Sequence, residues 1–159
     1  ILNTYYAGMT TASMIPSGHS QGKDADLDEA AISHLVHAFY ETVRADPLLG
    51  PIFQARIRDW PVHLDRMCAF WSSVMLMTGR YHGRPMEKHQ PLPIDAAHFD
   101  RWLELFRRTA QAVCPPAHAA LFIERASRIA ESLELGRALS DGVLLKRGER
   151  YRCAAATRS

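Results

Sequence analysis

The sequence has no run of about 18 apolar residues, so it predicts no membrane-spanning helix. Its first 22 residues lack the basic start and unbroken apolar stretch of a secretory signal. It contains only three cysteines, Cys68, Cys114 and Cys153, an odd number without paired spacing. Free thiols are typical of a reducing compartment, so we expect a cytoplasmic protein.

Neither sign of charge is in large excess. The formal net charge of the 159 residues is +2, which is too small to indicate a nucleic acid as partner. No stretch alternates apolar and polar residues as a strand would, and no internal repeat is visible. The length suits one domain with a substantial core, and we expect a monomer.

What the sequence does contain is apolar residues at helical spacing. Four stretches are predicted as the main helices, from Leu27 to Asp46, Asp59 to Thr78, Asp95 to Val113, and Pro116 to Leu135. Asp26 with Glu29 resembles a capping box for the first helix, and Gly136 is expected to end the fourth. A tight turn is predicted over 48–53. The fold class is therefore all-α, with four main helices in two antiparallel pairs.

The flanks of this helical part have a different composition. Residues 1–22 are rich in Gly, Ser and Thr without helical period, so we predict a flexible N-terminal extension. Residues 137–159 hold Lys146 and five arginines against Asp141 and Glu149. We expect this basic C-terminal tail to be frayed or loosely docked. The predicted domain thus covers residues 23–136.

The segment from Gly79 to Ile94 contains glycines and prolines too often for a long helix. A single helical turn can begin at Pro85 and has to end before Pro91. His89 therefore lies on a short, stiff segment between two amphipathic helices, from which its imidazole can point between them. A histidine in such a loop is ordinarily solvated, so its interpretation as a metal ligand depends on its surroundings.

The second predicted helix carries one continuous stripe at i, i+4, i+7, i+8 and i+11, formed by His63, Met67, Phe70, Trp71 and Val74. Core packing explains the apolar members. His63 is the exception, although a lone histidine on such a face is more often a satisfied rim residue than a functional one.

Three residues with polar tips, Tyr40, His63 and Trp102, fall on the inward faces of three predicted helices. Each carries a donor that costs roughly 1–3 kcal/mol to bury unpaired. If they converge, a bound ligand with partial negative charge would accept these hydrogen bonds. Water or mutual pairing would serve as well, so convergence alone does not establish a ligand.

Six motifs share one order and spacing with a known family. They are Phe39-Tyr40-x-x-Val43-Arg44-x-Asp46-x-Leu48, Leu49-Gly50-Pro51-Ile52-Phe53, Trp60-x-x-His63, Phe70-Trp71, Gly79-x-Tyr81-x-Gly83-x-Pro85-Met86-x-x-His89 and His98-Phe99-x-Arg101-Trp102-Leu103-x-Leu105-Phe106. Together they resemble a group III truncated haemoglobin over roughly Leu27 to Leu135. The glycine-pair motifs of the other truncated groups are absent.

The resemblance implies a shortened globin fold, a two-on-two α-helical sandwich around haem b, iron protoporphyrin IX. It implies that His89 is the proximal iron ligand, coordinating through a neutral ring nitrogen. The resemblance places the distal, ligand-stabilising donors at Tyr40, His63 and Trp102.

The remaining pocket residues that we assign to the haem are Phe53, Met67, Phe70 and Trp71, together with His63. Met67 stands where the family often has a branched aliphatic residue. The sequence has no Cys-x-x-Cys-His, so the haem would be held without covalent attachment. Arg80, Arg84 and Lys88 are nearby candidates for the propionates, and none is favoured.

The implied function is binding of O2, CO or NO, with oxygen transport as one possible use. His63 is expected as a gate, a weak third donor or a sixth iron ligand. One alternative is a haem enzyme with peroxidase-like or NO-detoxifying activity, which requires an electron donor or reductase. Another alternative is a helical interaction domain without cofactor. A zinc site of His34, His37 and His63 is a remote option.

Overall fold

The structure, a computed structural model, describes residues 26–153. Within this range it contains six helices and no strands, so the predicted all-α class is confirmed. The helices are α1 (Glu29–Ala45), α2 (Gly50–Arg56), α3 (Trp60–Met75), α4 (Pro85–His89), α5 (Ala96–Val113) and α6 (Pro116–Ser140). The predicted N-terminal extension, residues 1–22, lies outside the described residues.

Helix α1 begins after Asp28, whose side chain accepts a hydrogen bond of 2.8 Å from the backbone N–H of Ala31. The predicted cap at Asp26 is therefore wrong by two residues. Asp28 has the extended backbone typical of an N-cap, and Glu29 in the first turn favours the positive end of the helix dipole. The buried face of α1 contains Ile32, Leu35, Val36, Phe39, Tyr40 and Val43.

The predicted tight turn over 48–53 is instead the start of the short helix α2. Asp46 organises this corner, because its Oδ1 accepts hydrogen bonds from the backbone N–H groups of Leu48 and Leu49. Its Oδ2 accepts a hydrogen bond of 2.7 Å from Nε–H of Arg101 on α5, and the two side chains form an ion pair. Gly50 is required by close approach, since a Cβ there would lie 2.8 Å from the carbonyl oxygen of Arg44. This corner fixes α2 against α1 and α5.

Helix α3 ends at Met75, three residues before the predicted end at Thr78. Side-chain hydroxyls hold the chain where it leaves the helix. Ser72 Oγ lies 2.7 Å from Thr78 Oγ1, and Ser73 Oγ accepts a hydrogen bond of 2.9 Å from the N–H of Tyr81. Gly79, at φ +67°, turns the chain towards α4.

The four long helices meet in one aromatic core. Each contributes a ring, Phe39 from α1, Trp71 from α3, Phe106 from α5 and Phe122 from α6. Trp71 stacks on Phe106 with 5.0 Å between ring centroids and lies edge-on to Phe122 at 5.6 Å. Helix α1 packs against α3 and α5, and α5 packs against α6. This is the predicted sandwich of two helices on two, and the short α4 rests on α6.

The expectation of a frayed or loosely docked tail is wrong for residues 137–153. Helix α6 passes through Gly136 and ends at Ser140. A Cβ at Gly136 would collide with the Met86 side chain, so this glycine serves the contact with α4 and does not end the helix. Beyond α6, Tyr151 is buried, and its carbonyl accepts a hydrogen bond of 2.9 Å from the N–H of Ala96. Apolar burial and backbone pairing thus outweigh the charge of this segment.

Among residues 26–153, no helix combines the length and the apolar character needed to cross a bilayer.

Candidate functional site

His89 ends helix α4, and its local geometry fixes which ring nitrogen carries a proton. Pro85 occupies the first turn, where its missing N–H costs nothing, as predicted. Its carbonyl oxygen lies 2.7 Å from His89 Nδ1, so Nδ1–H donates and Nε2 keeps its lone pair. Burial lowers the pKa of His89, and the Pro85 hydrogen bond opposes this shift only in part. The imidazole is therefore neutral, and its Nε2 is able to ligate a metal.

On helices α1 and α3, Tyr40 and His63 lie together. Their ring centroids are 5.0 Å apart with the planes almost perpendicular. Trp60 closes this group, 5.8 Å from His63 and 6.3 Å from Tyr40. Tyr40 is 6% exposed, and burial raises the pKa of its phenol above the ordinary value. Tyr40 consequently remains a protonated donor at neutral pH.

His63 Nε2 is buried and has no hydrogen-bond partner among residues 26–153. Burial, together with the charge of Arg66, lowers the pKa of this imidazole, so His63 is neutral as well. A buried polar atom without a partner costs on the order of 1–3 kcal/mol. Such an unpaired atom on an otherwise apolar helix face is open to a hydrogen bond with a bound ligand or with water.

Trp102 is connected to Tyr40 by the ring of Phe39, which contacts both. The Phe39 ring lies edge-on to Tyr40 at 5.1 Å and to Trp102 at 5.3 Å. Trp102 also stacks on Phe106 at 5.2 Å with 13° between the planes. These contacts lock the indole in one orientation. The structure thus brings two of the predicted distal residues, Tyr40 and His63, into direct contact and links the third through one shared ring.

The predicted apolar pocket residues fall into two groups. Phe53 contacts Tyr40 at 5.9 Å between ring centroids, while Met67 and Phe70 are half-buried against the core. These three can present apolar surface to a flat cofactor. Trp71, by contrast, is 3% exposed within the four-helix core, where its contacts are those of a packing residue.

Three further residues near the site were not assigned roles from the sequence. Trp60, in ring contact with His63, also receives the Arg44 guanidinium over its face at 4.7 Å. Tyr81 lies edge-on to Phe70 at 5.2 Å. The carbonyl of Pro85 orients His89. The four-residue spacing of Pro85 and His89 within one turn was the available signal for this last contact.

The described part of the chain contains no group of three or more His, Cys, Asp or Glu side chains that could hold a metal ion. His37 is occupied within its own helix, where Nδ1 lies 2.8 Å from the carbonyl oxygen of Ser33. The geometry therefore gives no support to a zinc site of His34, His37 and His63. What it offers is one available imidazole nitrogen on α4 and a group of donors on α1, α3 and α5. These residues fit a haem group, whose iron accepts a neutral imidazole.

Comparison with known proteins gives the same class. The model of the bacterial-like globin family matches residues 27–133. Group 3 truncated hemoglobin ctb of Campylobacter jejuni is 33% identical over 113 residues, which are 68% of this chain and 89% of that protein.

Two solved structures resemble the fold. The crystal structure of the group III truncated haemoglobin from Campylobacter jejuni has a TM-score of 0.66 and 31% identity, covering 80% of this chain and 99% of that one. A thermostable haemoglobin from the actinobacterium Thermobifida fusca has a TM-score of 0.55 and 28% identity, covering 66% of this chain and 89% of that one.

The chain belongs to the bacterial-like globins and, within them, to the group III truncated haemoglobins. Membership implies a haem-binding globin, and globins bind diatomic gases.

Proposed function

We propose that this protein binds haem b through Nε2 of His89 and takes O2, CO or NO as ligands. The observation that carries the proposal is the hydrogen bond of 2.7 Å between His89 Nδ1 and the Pro85 carbonyl. It selects the tautomer in which Nε2 is unprotonated, and it holds the ring against rotation. Haem iron supplies one open coordination position for a diatomic ligand when the proximal position is filled.

The distal residues supply donors to that ligand. The Tyr40 phenol is buried and protonated, and the Trp102 indole N–H is a donor at every pH. A ligand with partial negative charge accepts such bonds, which slow its escape. His63, neutral and with Nε2 unpaired, is available as a gate, a weak third donor or a sixth iron ligand.

The partner of His89 favours gas binding over peroxide chemistry. A carboxylate that accepted the hydrogen bond from His89 Nδ1–H would draw this proton away from the ring and make the imidazole strongly basic. Here the partner is the neutral carbonyl of Pro85, which polarises the ring less. Peroxidase-like or NO-detoxifying turnover, with an electron donor, is therefore the second candidate. The three cysteines are free, which supports a reducing, cytoplasmic location.

Substitution of His89 tests the proposal. The purified protein, supplied with hemin, should show a Soret band whose position changes on reduction and on addition of CO. In His89→Ala that band should be lost or reduced to the spectrum of free hemin. The matched control is His82→Ala, because His82 is exposed in the neighbouring loop. A His89→Ala protein with the wild-type spectrum would overturn the assignment of the proximal ligand.

A further inference from the structure

We infer that the end of helix α6 and the chain that follows it position the proximal histidine through three side chains, Arg137, Asp141 and Tyr151, which we name the C-terminal clamp. The inference rests on the proposed role of His89 as iron ligand. It assigns to this part of the chain the task of fixing the loop that follows His89. Arg137, Asp141 and Tyr151 act here as positioning residues, since none of them needs to touch the haem.

The first step is the contact between the clamp and the loop. Arg137 lies in the last turn of α6 and is 8% exposed. Its Nε–H donates to the carbonyl oxygen of Leu92 at 2.9 Å. The N–H of Leu92 in turn donates to the carbonyl of His89 at 3.1 Å. Arg137 therefore holds the turn whose other end carries the proximal imidazole.

The second step is what holds Arg137. Its terminal nitrogens donate to both carboxylate oxygens of Asp141, at 2.5 and 3.0 Å. This paired geometry fixes the plane of the guanidinium as well as its position. The Tyr151 hydroxyl donates to the same carboxylate, and the Tyr151 ring faces the Arg137 guanidinium at 5.6 Å. Tyr151 is 1% exposed, so the packing around its ring holds the hydroxyl in place beside Asp141.

The third step is a second attachment at the far end of the same loop. The carbonyl of Tyr151 accepts from the N–H of Ala96, the first residue of α5. Arg150 joins Glu134 on α6 to Asp100 on α5, with closest contacts of 2.8 and 2.7 Å. The clamp, together with Arg150, consequently holds the loop between α4 and α5 at Leu92 and at its junction with α5.

Helix α4 itself rests on α6 close to the clamp. The Met86 side chain occupies the space that a Cβ at residue 136 would need. One turn of α6 thus supports α4 through Gly136 and the following loop through Arg137. Among residues 26–153, the hydrogen bonds of the three clamp side chains go to Leu92 and to one another, and none goes to Tyr40, His63 or Trp102.

The test uses two conservative variants of the full chain. Tyr151→Phe keeps the ring and removes only the hydroxyl, and Arg137→Lys keeps the charge and removes the Nε–H to Leu92. The matched control is Arg147→Lys, an exposed arginine in the same segment. Far-UV circular dichroism first establishes that each variant is folded.

Two measurements report on the proximal side. Resonance Raman spectra of the ferrous, ligand-free protein give the iron–histidine stretching frequency, which we expect to shift in both clamp variants. Transfer of hemin to an acceptor globin should become about tenfold faster, the effect typical of removing an outer-shell partner. The C–O stretching frequency of the CO complex, which reports on the distal side, should stay at the wild-type value. Arg147→Lys should match wild type in all three.

If both clamp variants show the iron–histidine frequency and hemin transfer rate of Arg147→Lys, the inference is wrong. A shift confined to the C–O frequency would also overturn it. Failure of the proposed function looks different, because wild type would then show no iron–histidine mode at all and His89→Ala would keep the wild-type Soret band.

Discussion

Burial shifts the pKa values of three side chains at the site, Tyr40, His63 and His89, and each shift favours the neutral form. It raises the pKa of Tyr40 and lowers the pKa values of His63 and His89. The phenol therefore keeps its proton while both imidazoles lack a positive charge. A protonated phenol and a neutral imidazole with a free lone pair are the states that the proposed haem site needs.

Removal of the Tyr40 hydroxyl should change the rate at which O2 dissociates. In Tyr40→Phe we expect O2 to dissociate about tenfold faster, because a hydrogen bond to a partly charged acceptor contributes about 1.5 kcal/mol or more. Trp102→Phe should act in the same direction, and the double variant should exceed either single one. Stopped-flow displacement of O2 by CO measures these rates. Unchanged rates in both single variants would remove these residues from the distal network.

The lowered pKa of His63 predicts how stability depends on pH. The unfolded chain binds a proton near the ordinary histidine pKa of about 6.5, whereas the folded state resists it. The contribution of His63 is therefore fully present above about pH 6.5 and is lost as the pH falls towards the lower folded value. Urea unfolding of wild type should show a loss of free energy between neutral and acidic buffer.

The control for this effect compares substitution of the buried histidine with substitution of an exposed one. His63→Leu should make the free energy of unfolding less dependent on pH, since it removes a group whose pKa is lowered by folding. His82→Leu, at an exposed position, should keep the wild-type dependence. Equal dependence in His63→Leu and wild type would contradict the role of burial at His63.

At the scale of the element, the helix ends show what the sequence can and cannot predict. Apolar periodicity located the four long helices, because burial of one face repeats every three or four residues. It placed the start of the first helix at Leu27, so Asp26 was interpreted as the cap and Asp28 fell inside the predicted helix. Only the backbone decides, and Asp28 is the residue with the extended conformation and the bonded side chain.

This difference gives a prediction for α1. Asp28→Ala should lower the free energy of unfolding by about 1 kcal/mol, the usual value of an N-cap hydrogen bond. Asp26→Ala is the matched control and should change it by less than about 0.5 kcal/mol, as for other exposed positions. Chemical unfolding of the two variants and wild type in parallel is sufficient. A larger loss in Asp26→Ala than in Asp28→Ala would restore the cap expected from the sequence.

The site was predictable where local constraints operate. Prolines on both sides of His89 limit the chain to one turn, and the four-residue spacing to Pro85 places ring and carbonyl together. The contact of Met86 with Gly136 was not predictable, because it joins parts of the chain with no common spacing. A glycine in a helical pattern was therefore interpreted as an end of the helix, where it is a place of close packing.

At the scale of the whole molecule, charge was a poor guide to the last third of helix α6 and the chain after it. Five arginines suggested a solvated tail, yet two of them, Arg137 and Arg150, have partners spread over the fold. Arg150 reaches Asp100 and Glu134, and Arg137 reaches Asp141 and the carbonyl of Leu92. Glu134 is 6% exposed and accepts the N–H of Tyr151 in addition to Arg150. Pairing thus makes burial of Glu134 and Arg137 possible.

The buried side chain of Tyr151 provides apolar contact between the segment 137–153 and the rest of the fold. Replacing Tyr151 by alanine therefore tests how much this contact stabilises the protein. The side chain is 1% exposed, and Tyr151→Ala should lower the free energy of unfolding by about 3 kcal/mol, as for other large buried side chains. Arg152→Ala, at the next and exposed position, should change it by less than about 0.5 kcal/mol. A loosely docked tail predicts equal, small effects at both positions. Urea unfolding curves therefore distinguish an integral part of the fold from a tail, because only burial makes two neighbouring residues so unequal.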